Sequence, residues 1–141
     1  MDVEIRRLES GDEEAVVAAG ALFDSPPDAE ATSRFLGEST HHLLMAYDSA
    51  GAPVGFISGV ETTHPDKGTE MFLYELSVDP AARRRGVGRK LVEALADLAR
   101  RLGCYDMWVL ADDDNAAASA TYERAGGHEA SRPVMIEWDL G

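Results

Sequence analysis

The 141-residue sequence predicts a mixed α/β fold in one domain spanning residues 1–141. Three observations carry that expectation. Segments with strand-like and helix-like periodicity alternate in the order βααβββαβαβ. A strand–helix–strand unit from Met71 to Ala111 supplies a parallel pair within an otherwise antiparallel sheet. Hydrophobic residues make up 45% of the chain, enough for a core at the usual length of one domain.

Val3 to Leu8 alternates as a strand does. Ser10-Gly11-Asp12 offers a helix start, with Glu13 and Glu14 in the first turn where the macrodipole favours acid. Val16, Val17, Gly20, Leu22 and Phe23 follow at helical spacing until Pro26-Pro27 breaks the run. Asp28 can cap a second helix through Gly37, with Phe35 and Leu36 inward. His42–Tyr47 and Val54–Val60 read as a hairpin around Ser49-Ala50-Gly51-Ala52-Pro53. Thr62 to Gly68, with Pro65, reads as a loop. Met71 to Val78 is so apolar that burial on both faces is expected. Val87, Leu91, Leu95, Leu98 and Leu102 fall at steps of four, four, three and four, the clearest helix in the chain, and Gly103 stops it. Cys104–Ala111 reads as a strand and Asn115–Ala125 as a helix closed by Gly126. Val134–Leu140 alternates as a final antiparallel strand.

Twenty-six acidic residues against 13 basic ones give a formal net charge of -13. Such a field repels nucleic acid and anionic membrane and attracts cations. Seven of the 13 basic residues nevertheless lie between Arg83 and Arg101. That segregation suggests an anionic ligand there and a cationic ligand elsewhere. The single Cys104 cannot form an intramolecular disulfide, and its place at the start of an apolar strand suits a core thiol. His41, His42, His64 and His128 lack metal-ligand spacing and read as solvated or capping residues. No apolar run approaches the ~20 residues of a membrane span, and Met1 to Arg6 lacks the layout of a signal peptide. A soluble, cytoplasmic protein is expected. Trp108 and Trp138 read as core or interface anchors.

The segment Arg83-Arg84-Arg85-Gly86-Val87-Gly88 stands between the long strand and the long helix. A helix start leaves about four amide N–H groups unpaired, and with the dipole they form an anion site. Glycine lets the backbone approach a phosphate closely, and the arginines add charge. This suits a pyrophosphate; the other reading is an ordinary glycine-bearing helix start with surface arginines. No Lys-Ser/Thr follows the glycines, so it is not a P-loop, and the spacing is not that of a dinucleotide fingerprint.

Arg83, Gly86 and Gly88, placed directly after a long strand, match the Gln/Arg-x-x-Gly-x-Gly/Ala signature of the GNAT superfamily of N-acetyltransferases, which the sequence resembles over nearly its whole length. Asn115, Ala118, Tyr122 and Gly126 match a second signature in register; Gly127 and Thr121 stand where Phe and Leu are usual. More narrowly, Phe72-Leu73-Tyr74-Glu75-Leu76-Ser77-Val78, Leu110-Ala111-Asp112-Asp113-Asp114 and Val134 to Leu140 are similar to segments of the type I aminoglycoside 3-N-acetyltransferases.

The resemblance implies the GNAT fold: a twisted, mostly antiparallel sheet with a parallel, splayed strand pair and about four helices. It implies acetyl-coenzyme A as co-substrate, no metal, and direct transfer to a primary amine in a ternary complex. Backbone groups of Leu76, Ser77 and Val78 would meet the pantetheine arm. Arg83 to Arg89, including Arg84, Arg85, Gly86, Val87 and Gly88, would hold the pyrophosphate, with Asn115 and Ala118 beside the arm. A cationic amine, most specifically an aminoglycoside, would be the acceptor. A homodimer through the apolar final strand with Trp138 would fit.

Tyr122 is the candidate general acid, since an unperturbed phenol (pKa ~10) stays protonated at neutral pH. Its other reading is a packed core tyrosine. Glu75 is the candidate base, an acid within an apolar strand; its other readings are a substrate ligand or an ion pair with Arg6 or Arg7. Asp112 is a second base candidate. Asp112, Asp113 and Asp114 are candidate substrate ligands, or else N-capping and solvated loop. Glu137 and Asp139 alternate on the last segment as possible substrate contacts or exposed edge charges. Two rivals stand beside the aminoglycoside reading: another amine (polyamine, amino-acid amine or protein N-terminus), and a non-catalytic acyl-coenzyme A sensor.

Overall fold

In the computed structural model, which describes residues 1–141, five strands form one sheet in the order β1-β2-β3-β4-β5. They are β1 (Glu4–Leu8), β2 (His41–Tyr47), β3 (Pro53–His64), β4 (Gly68–Val78) and β5 (Asp106–Trp108). The first four pair antiparallel and β5 lies parallel to β4, the mixed sheet that the sequence predicts. Four α-helices flank it: α1 (Glu13–Ala18), α2 (Ala29–Gly37), α3 (Val87–Arg101) and α4 (Ala116–Arg124).

Strand alternation divides the core between the two faces. Leu44, Ala46, Ile57, Met71 and Leu73 point to one face, where Val87, Leu91, Leu95 and Leu98 of α3 cover them. Leu8, Leu43, Met45 and Phe56 point to the other, under Val16 from α1, Ala19 just beyond it and Leu36 from α2. Asp28 caps α2 as expected, its Oδ2 accepting the Ala31 N–H at 2.8 Å. Asn115 caps α4 in the same way, its Oδ1 accepting the Ala118 N–H at 3.1 Å.

Several expectations change. The loop predicted over Thr62–Gly68 shrinks to a turn, because Thr62–His64 and Gly68–Glu70 prolong the β3–β4 ladder. β-Branched threonines favour the extended backbone, and the Thr63 and Thr69 hydroxyls bond at 3.0 Å. The first helix ends at Ala18, and a 3-10 turn at Gly20–Leu22 carries the chain onward. The strand predicted over Cys104–Ala111 is only three residues long. β4 is not buried on both faces: Met71 and Leu73 are buried, whereas Tyr74 is 68% exposed. His42 is not solvated but 1% exposed. Burial is tolerated because Arg7 Nη2 donates to Nδ1 at 2.9 Å and Nε2 in turn donates to Glu61 Oε2 at 2.8 Å. Cys104 is half-buried and precedes β5. Val134–Leu140 forms no strand, since it finds no partner within the chain and an unpaired strand leaves its backbone groups unbonded. No helix is long and apolar enough to cross a membrane.

Candidate active site

The centre of β4 is irregular. Ser58 pairs with Glu75 and Gly59 pairs with Leu73, so Tyr74 is an extra residue in the ladder. Such a bulge re-aims the side chains that follow it. On the far side, β5 pairs with β4 only at Glu70–Phe72. From Leu73 to Val78 the β4 edge therefore has a strand partner on one side alone. Backbone groups of Leu76, Ser77 and Val78 lie along that open edge, ready for an extended ligand to bond as a strand would.

At the end of this edge Asp79 and Pro80 open a 3-10 turn, and the arginine-glycine loop leads into α3. Arg84 has φ 62 and Gly86 has φ 81, two left-handed residues in three. Alternation of this kind gathers successive N–H groups into a concave anion site. Only Gly86 adopts its conformation without a Cβ penalty; at Arg84 the backbone is strained. Unlike α2 and α4, α3 has no side-chain cap. The first bond onto the Gly86 carbonyl comes from the Lys90 N–H at 3.1 Å, which leaves the amides of Val87, Gly88 and Arg89 free of helix partners. Arg83 Nε donates to the Val78 carbonyl at 3.2 Å, and Arg89 pairs with Glu93 at 2.5 Å. Arg84 and Arg85 are exposed and make no ion pair, despite twice as many acids as bases in the chain. Gly88 serves packing: a Cβ there would meet Thr121 Cγ2 at 3.1 Å, so its bareness lets α4 sit close to α3.

Tyr122 projects from α4 against the core cluster that also packs Leu76 and Val78. Burial raises its phenol pKa above the ordinary value, so it holds its proton through the neutral range. Ala118 is half-buried on the same helix, and its N–H is taken by Asn115. That bond occupies the Asn115 oxygen and leaves its amide NH2 for other partners.

The opposite face holds a cleft of about 250 Å³ between α2 and the sheet, lined by Phe23, Thr32, Phe56, Ser58, Tyr74 and Glu75 among others. Phe23 stacks on Phe56 at 4.3 Å and closes one wall. Ser77 Oγ donates to the Leu22 carbonyl at 2.7 Å, tying the 3-10 turn to β4. Glu75 has no ion-pair partner: Arg6 pairs with Glu4, and Arg7 with Glu9. Burial, reinforced by the negative charge of Asp24, pushes the Glu75 carboxyl above its usual range. A carboxylate of raised pKa at a cleft is a stronger proton acceptor than a solvated one. Glu75 and Tyr122 thus lie on opposite sides of β4, with the open backbone edge between them.

The other acidic candidates lie elsewhere. Asp112, Asp113 and Asp114 are exposed between β5 and α4; the Asp112 carbonyl accepts the Asn115 N–H at 3.0 Å, and Asp113 pairs with Arg132. Glu137 and Asp139 are exposed on the C-terminal segment, outside every helix and strand. Three features of the site escaped sequence reasoning: Asp24, the Ser77–Leu22 bond and the Tyr74 bulge. An acid two residues before Pro26-Pro27, at a forced turn, was the available signal for Asp24.

Comparison with known proteins agrees with this geometry. Residues 4–127 match the acetyltransferase (GNAT) family. The [ribosomal protein bS18]-alanine N-acetyltransferase of Salmonella typhimurium is 42% identical over 62 residues, 44% of this chain and 42% of that protein. Its Escherichia coli K12 counterpart is 40% identical over the same length. The chain thus aligns with less than half the length of these curated relatives. An aminoglycoside acetyltransferase from an uncultured soil metagenomic sample, solved with sisomicin, superposes with a TM-score of 0.89 at 21% identity, over 99% of this chain and 97% of that one. AAC(6')-Iy, bound to a bisubstrate analogue of coenzyme A, superposes with a TM-score of 0.84 at 20% identity, over 99% and 100%. At such identities the likeness is one of fold.

Proposed function

The chain belongs to the acetyltransferase (GNAT) family, and on that premise we propose that it transfers the acetyl group of acetyl-coenzyme A to a primary amine of a cationic small molecule, an aminoglycoside above all. The observation that carries this reading is the open β4 edge, with an uncapped, arginine-flanked helix start at one end and the Glu75 cleft across the strand. The chain 1–141 acts as one catalytic domain.

The amides of Val87 to Arg89, with Arg84 and Arg85, bind the pyrophosphate. The edge from Leu76 to Val78 aligns the pantetheine arm, and one of its amides supports the carbonyl oxygen as negative charge develops. Glu75 takes a proton from the acceptor ammonium, directly or through a water, since only the free amine has a lone pair to attack. Nitrogen bonds to the acetyl carbon as the carbon–sulfur bond breaks, and the surplus proton on that nitrogen passes to solvent. Tyr122 supplies the proton that converts the departing thiolate to a thiol, and solvent restores it. Asp112 to Asp114 draw in a polycation; such steering raises association rate more than final affinity.

The net charge of -13 and the unpaired Glu75 favour a multiply charged acceptor. The local identity to ribosomal-protein-alanine acetyltransferases favours a second reading, a protein N-terminus. Release of free thiol from acetyl-coenzyme A, followed over a panel of aminoglycosides, polyamines, amino acids and alanine-leading peptides, decides between them. Turnover is expected on aminoglycosides, with mass spectrometry distinguishing the 3-N position that the sequence resemblance implies from the 6'-N position. Silence on every aminoglycoside together with turnover of the peptides would replace this reading with the second.

A further inference from the structure

Leu73 of β4 faces α3, and strict alternation would return Glu75 to that same face. The extra residue at Tyr74 moves the register by one. Glu75 therefore pairs with Ser58 of β3, and both line the cleft under α2. Thr32 reaches the same cleft from α2.

Ser58 is 7% exposed and Thr32 9%. Serine and threonine hydroxyls bond within the protein at Thr62, Thr63, Thr69, Ser77 and Thr121, but not at Ser58 or Thr32. Neither of the two is sealed in: the enclosed side-chain atom without a partner is His41 Nδ1. Both hydroxyls open into the cleft. A hydroxyl held away from water without a partner is unfavourable, so a ligand group that pairs with it is favoured. Two carboxylates line the cleft as well. Asp28 is engaged in capping α2, whereas Glu75 has no ion-pair partner. Phe23, Phe35, Leu36 and Phe56 supply apolar wall.

We propose that this cleft binds a six-membered ring that carries an amine and a hydroxyl on neighbouring carbons, with the ammonium on Glu75 and the hydroxyl on Ser58. The proposal rests on the reading of Glu75 as the group that meets the acceptor amine, and it names what must stand beside that amine. Directly opposed residues of antiparallel strands have Cβ atoms about 4.5–5.5 Å apart. Substituents on neighbouring carbons suit that spacing, each keeping its own hydrogen bond. A volume of about 250 Å³ is room for about eight water-sized groups at ~30 Å³ each, the number of heavy atoms in such a ring with its two substituents. Ring C–H groups lie against the wall that Phe23 and Phe56 form by stacking at 4.3 Å. The one unpaired carboxylate admits one ammonium, so the other charges of a polycation stay outside. A linear polyamine would bring its second ammonium to Ser58, where no carboxylate balances it.

NMR titration of the full chain, saturated with coenzyme A, tests this by affinity and without turnover. The probes are 2-aminocyclohexanol, as each of its cis and trans isomers, and cyclohexylamine, which lacks only the hydroxyl. At least one isomer is expected to bind the wild type ~10-fold or more tightly than cyclohexylamine, with amide shifts centred on Ser58 and Glu75. Ser58→Ala is expected to bring that ratio to within about twofold. Equal affinities in the wild type, shifts centred elsewhere, or a ratio that survives Ser58→Ala overturns the proposal. Should Ser58→Ala fail to fold, the wild-type ratio and the position of its shifts still decide. Failure here and failure of the functional reading are separable. Aminoglycoside turnover without the affinity ratio keeps that reading and discards the amino-alcohol cleft. The ratio with silence on every aminoglycoside keeps the cleft ligand and discards the aminoglycoside.

Discussion

The two ends of the sheet are built to different standards. Every one of the 25 buried residues lies between Leu8 and Ala99. There four strands pair over nearly their full lengths and helices cover both faces. After Ala99 no residue is buried: β5 is three residues long, α4 lies on the rim, and the last segment stands clear. The cleft with Glu75 and the base of the arginine-glycine loop belong to the rigid half. Tyr122, Asn115 and the aspartates belong to the open half. Parts proposed to hold geometry sit on the core, whereas parts proposed to admit a long ligand sit where little of the core has to open.

The largest effect expected is on chemistry in the rigid half. Glu75→Gln should lower kcat/KM by roughly 10²–10⁴ with little change in the KM for acetyl-coenzyme A. Wild-type activity should fall as pH drops through the raised Glu75 pKa, because the protonated acid cannot accept a proton; this limb should lie above the ordinary ~4.3 of a glutamate and vanish in the variant. Stability should not fall at neutral pH. A carboxyl whose folded pKa exceeds its unfolded one opposes folding once pH rises above that window, and the amide removes the penalty.

Next comes packing. Leu95→Ala, at a fully buried α3 position, should cost about 2–5 kcal/mol in urea unfolding. Leu110→Ala, at an exposed position, should stay within about 0.5 kcal/mol. Similar costs at both sites would erase the contrast between the halves. Gly86→Ala forces a Cβ into φ 81 and should cost about 1–2 kcal/mol while weakening coenzyme binding, read by calorimetric titration. Ser77→Ala should cost about 0.5–1.5 kcal/mol, through loss of the bond to the Leu22 carbonyl.

What the sequence made legible follows the same divide. The first strand, the β2–β3 hairpin, the Asp28 cap and the apolar stripe of α3 are local patterns, and each appears where the sequence predicts it. The loop was legible because Gly86 and the arginines advertise a helix start without a side-chain cap. The bulge at Tyr74 was not, since it arises from a register shift between β3 and β4 that no single strand reveals. His42 was misread because its burial depends on Arg7 and Glu61 arriving from other strands. Val134–Leu140 carries a strand pattern with no partner strand in its own chain, and pattern alone cannot supply one.

Amide hydrogen exchange of the full chain with and without acetyl-coenzyme A tests the central claim most directly, because it reports on the proposed contacts residue by residue. Slowed exchange is predicted at Leu76 to Val78 on the open β4 edge and at Val87 to Arg89 at the start of α3. Unchanged exchange at both places under saturating coenzyme would contradict the account.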